Sequence, residues 1–339
     1  MKEHLLALVD RFAGTAVAVV ADLVLDEFIY GEIARVSREA PVLIVDYRRL
    51  DAMPGGGANA AHNVRSLGGR PLPVGAVGDD EAGERLVSIL REKGMETGGI
   101  VRLAGYPTPV KTRVLAGLPH SRPQQVVRLD RGTSARVPPE SAGAAAETAR
   151  GMLARGEAAG VLLSDYGYDL VTPESARPLI EEARRLDRPV TCDSRQRLKG
   201  FRSVTAATPN LEEAEAMAGA RLDGGRVPLE EAARRMLGSL GCQAVLVTRG
   251  SRGMTLIEDG VRPFDIPVFG GDQVADVTGA GDTVIAAFTL ALAAGATFRS
   301  AAILANCAAG LVVMKRGTAT VTAGELKAAV ERLPREAGS

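Results

Sequence analysis

Cysteine and histidine are scarce in this 339-residue chain, three of each, and no two cysteines form a CxxC pair. A zinc site therefore has few candidate ligands, and Cys192, Cys242 and Cys307, spread far apart, suit a reducing cytoplasm better than a disulfide framework. An excess of either charge is also missing: Lys and Arg number 41, Asp and Glu 41. No global field attracts nucleic acid, and an anionic partner must be held locally. Long apolar runs are absent too. The longest, 284–296, falls short of the roughly 18 residues that span a bilayer, and the opening MKEHLLALVDRF sets acids among its apolar residues. Neither export nor membrane insertion is expected. What remains, 46% hydrophobic and 24% charged residues, is the composition of a globular protein with a substantial core.

Short β-branched apolar runs alternate with longer amphipathic segments. The runs are AVAVVADLVLD near residue 20, VLLSD at 161–165, PVTCD at 189–193 and AVLVT at 244–248. Each reads as a buried parallel strand. Between them EAGERLVSILREKG, TPESARPLIEEARRL and PLEEAARRMLGSLG read as helices. The series predicts an α/β fold, a doubly wound sheet with helices on both faces. Two stretches, 28–50 and 107–130, alternate like strands with no helix between; they are expected to pair as a small antiparallel sheet over the main one. One domain over 1–334 with this excursion, then a frayed tail at 335–339, is the expected organisation.

In open α/β sheets ligands bind beyond the carboxyl ends of the strands. The polar residues that end apolar runs are Asp22, Asp26, Asp165, Asp193, Asn210 and Thr248; any one alone is as easily a turn or cap residue. The strongest signal lies later, at 276–282, DVTGAGD, followed at once by the helix pattern TVIAAFTLALAAG. The Gly279-Ala280-Gly281 turn leaves backbone N–H groups open, and the helix adds the positive end of its dipole, which makes an anion pocket. Asp282, at the start of that helix, is placed to take a proton from a hydroxyl beside a bound phosphate. Thr283 supports the turn. A lone GAGD would merely be a glycine turn with a dipole-matching acid; its companions decide otherwise.

The first companion is PGGGANA at 54–60, where glycines admit a ligand to the main chain and Asn59 offers both donor and acceptor to sugar hydroxyls. Gly55, Gly57 and Ala60 also satisfy GxGxxA, but the preceding RRLDAMP is not an apolar strand, so a dinucleotide site is rejected. Neither GxxxxGK nor GxSxG occurs. Asn210 and Glu213 in TPNLEE have a spacing that suits ordering Mg²⁺ through water, and equally a plain helix start. Residues 248–253, TRGSRG, make a second glycine turn after a strand, a candidate nucleotide contact through Thr248, Gly250 and Gly253. Lys111 and Arg113, with Arg35 and Arg38, are candidates to grip a phosphate already on the substrate.

Together, an early GGxxN, a TPNxxE, a TxGxxG and a late TGAGD resemble the PfkB, or ribokinase-like, carbohydrate kinases over about residues 16–333. The resemblance implies a three-layer α/β/α sandwich with a mostly parallel central sheet and a β lid, with ATP and Mg²⁺ as cofactors and Asp282 as base. It implies an anion hole at 279–281, metal-water contacts at Asn210 and Glu213, and a nucleotide side comprising Thr248, Gly250, Gly253 and Asn306. The sugar side comprises Asp26, Gly55, Gly56 and Asn59. A monovalent cation activates parts of the family, with no ligands assigned here. Within it, LDEFIYGEIARVSREAPVLIV, KTRVL, QQVVRLD, SDYG and TPNLEEAE are most similar to the kinase half of the bacterial heptose-7-phosphate kinase/adenylyltransferases. The chain departs from that pattern at Ala21, at Tyr168 in place of Lys, and at Asp193-Ser-Arg in place of Asp-Pro-Lys. No nucleotidyltransferase pattern follows, so a second activity is expected to need another polypeptide. The expectation is a sugar kinase acting on D-glycero-D-manno-heptose 7-phosphate at its anomeric hydroxyl, dimeric through the lid. Other readings are fructokinase, ribokinase, phosphofructokinase, nucleoside kinase, or a non-catalytic sensor on the same fold.

Overall fold

Strands and helices follow one another along the chain, and thirteen strands form among the described residues. They are β1 (Ala16–Ala21), β2 (Leu23–Val36), β3 (Leu43–Gly56), β4 (Arg70–Gly78), β5 (Gly99–Leu103), β6 (Val110–Gly117) and β7 (Gln124–Arg131). The later ones are β8 (Gly160–Asp165), β9 (Val190–Ser194), β10 (Ala206–Ala207), β11 (Ala244–Thr248), β12 (Met254–Glu258) and β13 (Phe264–Ile266). These come from a computed structural model that describes residues 1–118, 123–134, 136–222, 229–270, 275–315 and 317–334. The expected frayed tail at 335–339 and residues 119–122 of the second lid stretch lie outside the described residues.

Nine strands form one sheet in the order β13-β12-β11-β10-β9-β8-β1-β4-β5. All pairings from β11 to β5 are parallel; at one edge β12 pairs antiparallel with both β11 and β13, so β12 alone runs against the rest. Successive residues of β1 divide between two cores. Val17, Val19 and Ala21 pack with the helices Gly57–Ser66, Ala280–Ala293 and Phe298–Val312, whereas Ala16, Ala18 and Val20 pack with Pro139–Ala154 and Pro173–Arg185. That two-sided burial is why the run is apolar at every position rather than alternating. Ala280–Ala293 is likewise apolar nearly all round, because it lies between the sheet and its neighbouring helices.

β3, β2, β6 and β7 form a separate four-stranded sheet. It is mixed, not wholly antiparallel as expected: β2 pairs antiparallel with β3, β6 with β7, but β2 with β6 in parallel. Its first two strands also extend further inward than residues 28–50, so that Asp26, Gly55 and Gly56 belong to lid strands. A strand therefore does precede the glycines of 55–57, contrary to the expectation. It is a lid strand with a largely exposed outer half, pairing antiparallel with β2, so no βαβ dinucleotide unit results.

The chain leaves β1 toward β4 on one side and later returns to β8 on the other. The order reverses there, and the carboxyl ends of β1 and β8 open the crevice where such sheets bind ligands. A single residue, Asp22, separates the core strand β1 from the lid strand β2.

Candidate active site

Asp282 stands in that crevice, in the first turn of Ala280–Ala293, and is only 4% exposed. Both of its oxygens are held: Asn59 Nδ2 donates to Oδ2 at 2.9 Å and the Tyr166 hydroxyl donates to Oδ1 at 2.7 Å. Burial pushes its pKa up to about 6, against the lowering effect of those two hydrogen bonds; the nearby charge of Asp26 raises it further and that of Arg195 lowers it. A carboxylate so placed is still ionised at neutral pH, yet basic enough to accept a proton.

A buried network fixes this pair. Asn63 Nδ2 donates to the Asn59 carbonyl at 2.9 Å, and Thr283 Oγ1 donates to Asn63 Oδ1 at 2.9 Å, so the helices Gly57–Ser66 and Ala280–Ala293 are tied by polar side chains. Asn59 thus holds the Asp282 carboxylate; the sequence reading expected it to meet sugar hydroxyls. Gly279 caps the second helix at φ +79°, and a Cβ there would lie 2.6 Å from Asn59 Nδ2. Around Gly281, in contrast, a Cβ would meet nothing within 4 Å, which leaves open space before the free N–H groups of the helix start.

On the lid side, Asp26 is 3% exposed and lies 3.0 Å from Arg113 Nη1, but the approach lacks hydrogen-bond geometry and Asp26 Oδ1 has no hydrogen-bond partner among the described residues. A buried carboxylate oxygen left in that state is ready to accept from a ligand hydroxyl. Gly55 makes room for it: a Cβ there would sit 2.5 Å from the Asp26 carboxyl carbon. Gly56, at φ +53°, turns β3 into the helix. Lys111 pairs in register with Asp26 across β2 and β6. Arg113 is committed to Asp26 and to the face of Phe28. Arg35 and Arg38 do not join them. Arg35 lies nine residues along the same strand from Asp26, roughly 30 Å at 3.3 Å per residue, so no single phosphate reaches both.

Of the other acids at strand ends, two hold the frame. Asp22 accepts from the backbone N–H of Tyr166, Tyr168 and Leu170, and Asp165 binds Arg197, Ser194 Oγ and Gly167 N. Together they shape the loop that carries Tyr166. Asn210 and Glu213 form a reciprocal capping box at 2.9 Å each way, which occupies Asn210 Oδ1 and Glu213 Oε2. Asp193, between Glu213 and Asp282, is pushed up to about 8 by burial and then by those two charges, with Arg195 opposing. Thr248 ends β11 and bridges to Asn210; Gly250 and Gly253 have φ +59° and +80°, and a Cβ on Gly253 would meet the Ile266 carbonyl at 2.1 Å. Asn306 donates to the Pro267 carbonyl at 2.8 Å, anchoring the segment after β13.

The match to the family described as pfkB family carbohydrate kinase covers residues 23–127 and 179–323. The chain belongs to the pfkB family of carbohydrate kinases. As a pfkB kinase it is a phosphotransferase with a hydroxyl acceptor. It is 42% identical over 322 residues to the bifunctional protein HldE of Halorhodospira halophila, and 35% identical over 327 residues to that of Desulfatibacillum aliphaticivorans. Those alignments cover 94% and 96% of this chain but 64% and 65% of the relatives, so the chain spans just under two thirds of their length. Among solved structures it is similar to phosphofructokinase-2 from Escherichia coli in complex with substrates and products, TM-score 0.74 at 19% identity over 95% of this chain and all of that one. Ribokinase from Arabidopsis thaliana complexed with ribose and ATP gives TM-score 0.68 at 21% identity, covering 94% and 99%. The pfkB chain thus has the ribokinase-like α/β fold.

Sequence reasoning missed Tyr166 and Asn63 as parts of this kinase site. Tyr166 had a signal, since it follows Asp165 at a strand end; Asn63 had only its one-turn spacing from Asn59.

Proposed function

We propose that the chain transfers the γ-phosphate of ATP to the anomeric hydroxyl of D-glycero-β-D-manno-heptose 7-phosphate, with Asp282 as the base. The observation that carries this reading is the buried, doubly hydrogen-bonded Asp282 carboxylate beside the open start of its helix. The sugar lies against Asp26 and the backbone of Gly55 and Gly56, under the lid, with its hydroxyl directed at Asp282. Asn59 and Tyr166 keep the carboxylate in place while it takes the hydroxyl proton. N–H groups of Gly279 and Gly281 receive the phosphoryl oxygens, while that of Ala280 donates to the Val277 carbonyl at 3.2 Å and holds the turn.

Bound Mg²⁺ would neutralise charge on the ATP phosphates. The residues fit it: Glu213 keeps one oxygen outside its cap, and the charges of Glu213 and Asp282 both act on Asp193, with Arg195 opposing. Among the described residues no cluster of three or more His, Cys, Asp or Glu could hold a metal ion. The nucleotide base side falls to Thr248, Gly250, Gly253 and Asn306.

Residues 1–334 are read as one catalytic unit with β2, β3, β6 and β7 as its lid, and two lids as the contact of a homodimer. Val36, Leu43, Tyr47, Val126, Val127 and Leu129 all expose apolar surface on that sheet, and every residue of its edge strand β7 is exposed. Three buried free cysteines fit a reducing compartment, the cytoplasm. Among the described residues no helix is long and apolar enough to cross a membrane.

The test is ADP release from Mg·ATP over free sugars, sugar phosphates and nucleosides, heptose 7-phosphate included, with the Asp282→Asn protein as control. Turnover confined to heptose 7-phosphate and lost in the control supports the reading. Preference for another acceptor rejects the substrate, and silence throughout rejects the kinase.

A further inference from the structure

Most cations around the crevice already have carboxylate partners. Arg113 faces Asp26, Arg131 faces Glu27, Arg128 faces Asp130, and Arg197 faces Asp165 and Asp169. Lys111 and Arg195 differ: among the described residues neither makes an ion pair, and both sit on one aromatic ring. Lys111 Nζ lies 5.0 Å and the Arg195 guanidinium 4.2 Å from the centroid of Tyr166, whose hydroxyl touches the base at 2.7 Å. The ring attracts each cation, but only weakly, and the acids that act on them, Asp26 and Asp130 on Lys111 and Asp193, Glu213 and Asp282 on Arg195, stand beyond ion-pair distance.

The surroundings are built to admit a ligand. Arg195 is exposed and, with Gln196, lines two adjoining cavities of about 450 Å³ and 330 Å³. The larger also holds Asn210 and Glu213; the smaller holds Tyr166 and Tyr168. Lys111 is half-buried, and burial followed by the charge of Arg195 lowers its pKa. A half-buried ammonium held near a second cation, with no paired acid, is a cost that a dianion would remove.

We propose that Lys111 and Arg195, gathered on the Tyr166 ring, form a phosphate-binding site beside Asp282. The proposal deepens the kinase reading and rests on it for the source of the phosphate. The ligand is a phosphate monoester or polyphosphate end, which a guanidinium grips with two parallel N–H donors. It comes either from the phosphate already on the acceptor or from the terminal phosphate of the nucleotide.

Binding is measured with each ligand alone, so that nothing turns over: heptose 7-phosphate against unphosphorylated heptose, and a non-hydrolysable ATP analogue against ADP. The proteins are wild type, Arg195→Gln, Arg195→Lys and Lys111→Met. Loss of one charge is expected to weaken the phosphate-bearing member of one pair by roughly tenfold or more while sparing its partner, with Arg195→Lys between. A loss confined to heptose 7-phosphate assigns the acceptor's phosphate; one confined to the ATP analogue assigns the transferred phosphate. Affinities within twofold for all four ligands in both Arg195→Gln and Lys111→Met would overturn the site. Orthophosphate titrated alone, followed by ³¹P NMR, separates this failure from that of the kinase. Wild type binding it more tightly than Arg195→Gln keeps the site without any turnover, whereas an active enzyme with unchanged variants keeps the kinase and loses the site.

Discussion

The hydroxyl of Tyr166 and the carboxylate of Asp282, 116 residues apart in the chain, meet at 2.7 Å at the carboxyl end of the central sheet. One arrives on the loop after β8, the other on a helix whose start is a glycine turn. Replacing Asp282 by Asn keeps the volume and the contact with Asn59 but removes the proton acceptor. Turnover should fall by about 10²–10⁴-fold with ATP affinity within a few-fold of wild type; ADP release with direct ATP titration checks both halves, and near-normal turnover would remove Asp282 from the role of base.

The pH profile should show that carboxylate. Only its ionised form accepts a proton, and its pKa is raised to about 6, so kcat/KM should fall as the pH drops through that value. Tyr166 donates to the ionised form and lowers the pKa. Tyr166→Phe should therefore shift the acid limb upward by about one pH unit, and a limb that stays in place would deny the contact any influence on the base.

Gly279 and Gly281 should respond oppositely to alanine. At Gly279 the φ of +79° and the 2.6 Å approach to Asn59 predict a loss of about 1–3 kcal/mol in stability, and of activity with it. At Gly281 the Cβ meets no protein atom, so the melting temperature should hold while turnover falls, because the methyl group enters the space offered to phosphate. Thermal melts and kinetics on both proteins test the pair.

The capping box of Glu213 and its proposed part in holding Mg²⁺ can be separated by Gln. Glutamine still serves the capping box, so Glu213→Gln should melt within a degree or two of wild type, yet need several-fold more Mg²⁺ for half-maximal rate. An unchanged Mg²⁺ requirement would leave Glu213 a capping residue alone.

Much of this was legible beforehand because it is local. The apolar runs at 161–165 and 244–248 became β8 and β11 nearly residue for residue, and 279–282 became the expected glycine turn at a helix start. What stayed hidden was pairing across the chain. RPLPVGAVG does not read as a strand, with two prolines and two glycines, yet as β4 it is an interior strand of the parallel part, between β1 and the edge strand β5. Asp22 and Asp26 look alike in sequence, each an acid among apolar residues. Three backbone donors converge on Asp22, whereas Asp26 keeps an oxygen without a hydrogen bond, and only the fold distinguishes frame from site. Arg35 and Arg113 are both strand cations, and strand direction alone puts one about 30 Å from the crevice.

Asp22 is the only residue between β1 and β2, and it is gripped at both ends. Its carbonyl accepts from Gly57, where the Asn59 helix begins, and its carboxylate holds the loop bearing Tyr166. The helix of Asn59 and the loop of Tyr166 are thus both anchored on the one residue that joins β1 to β2, so the two hydrogen-bond donors of Asp282 take their positions from a common reference point.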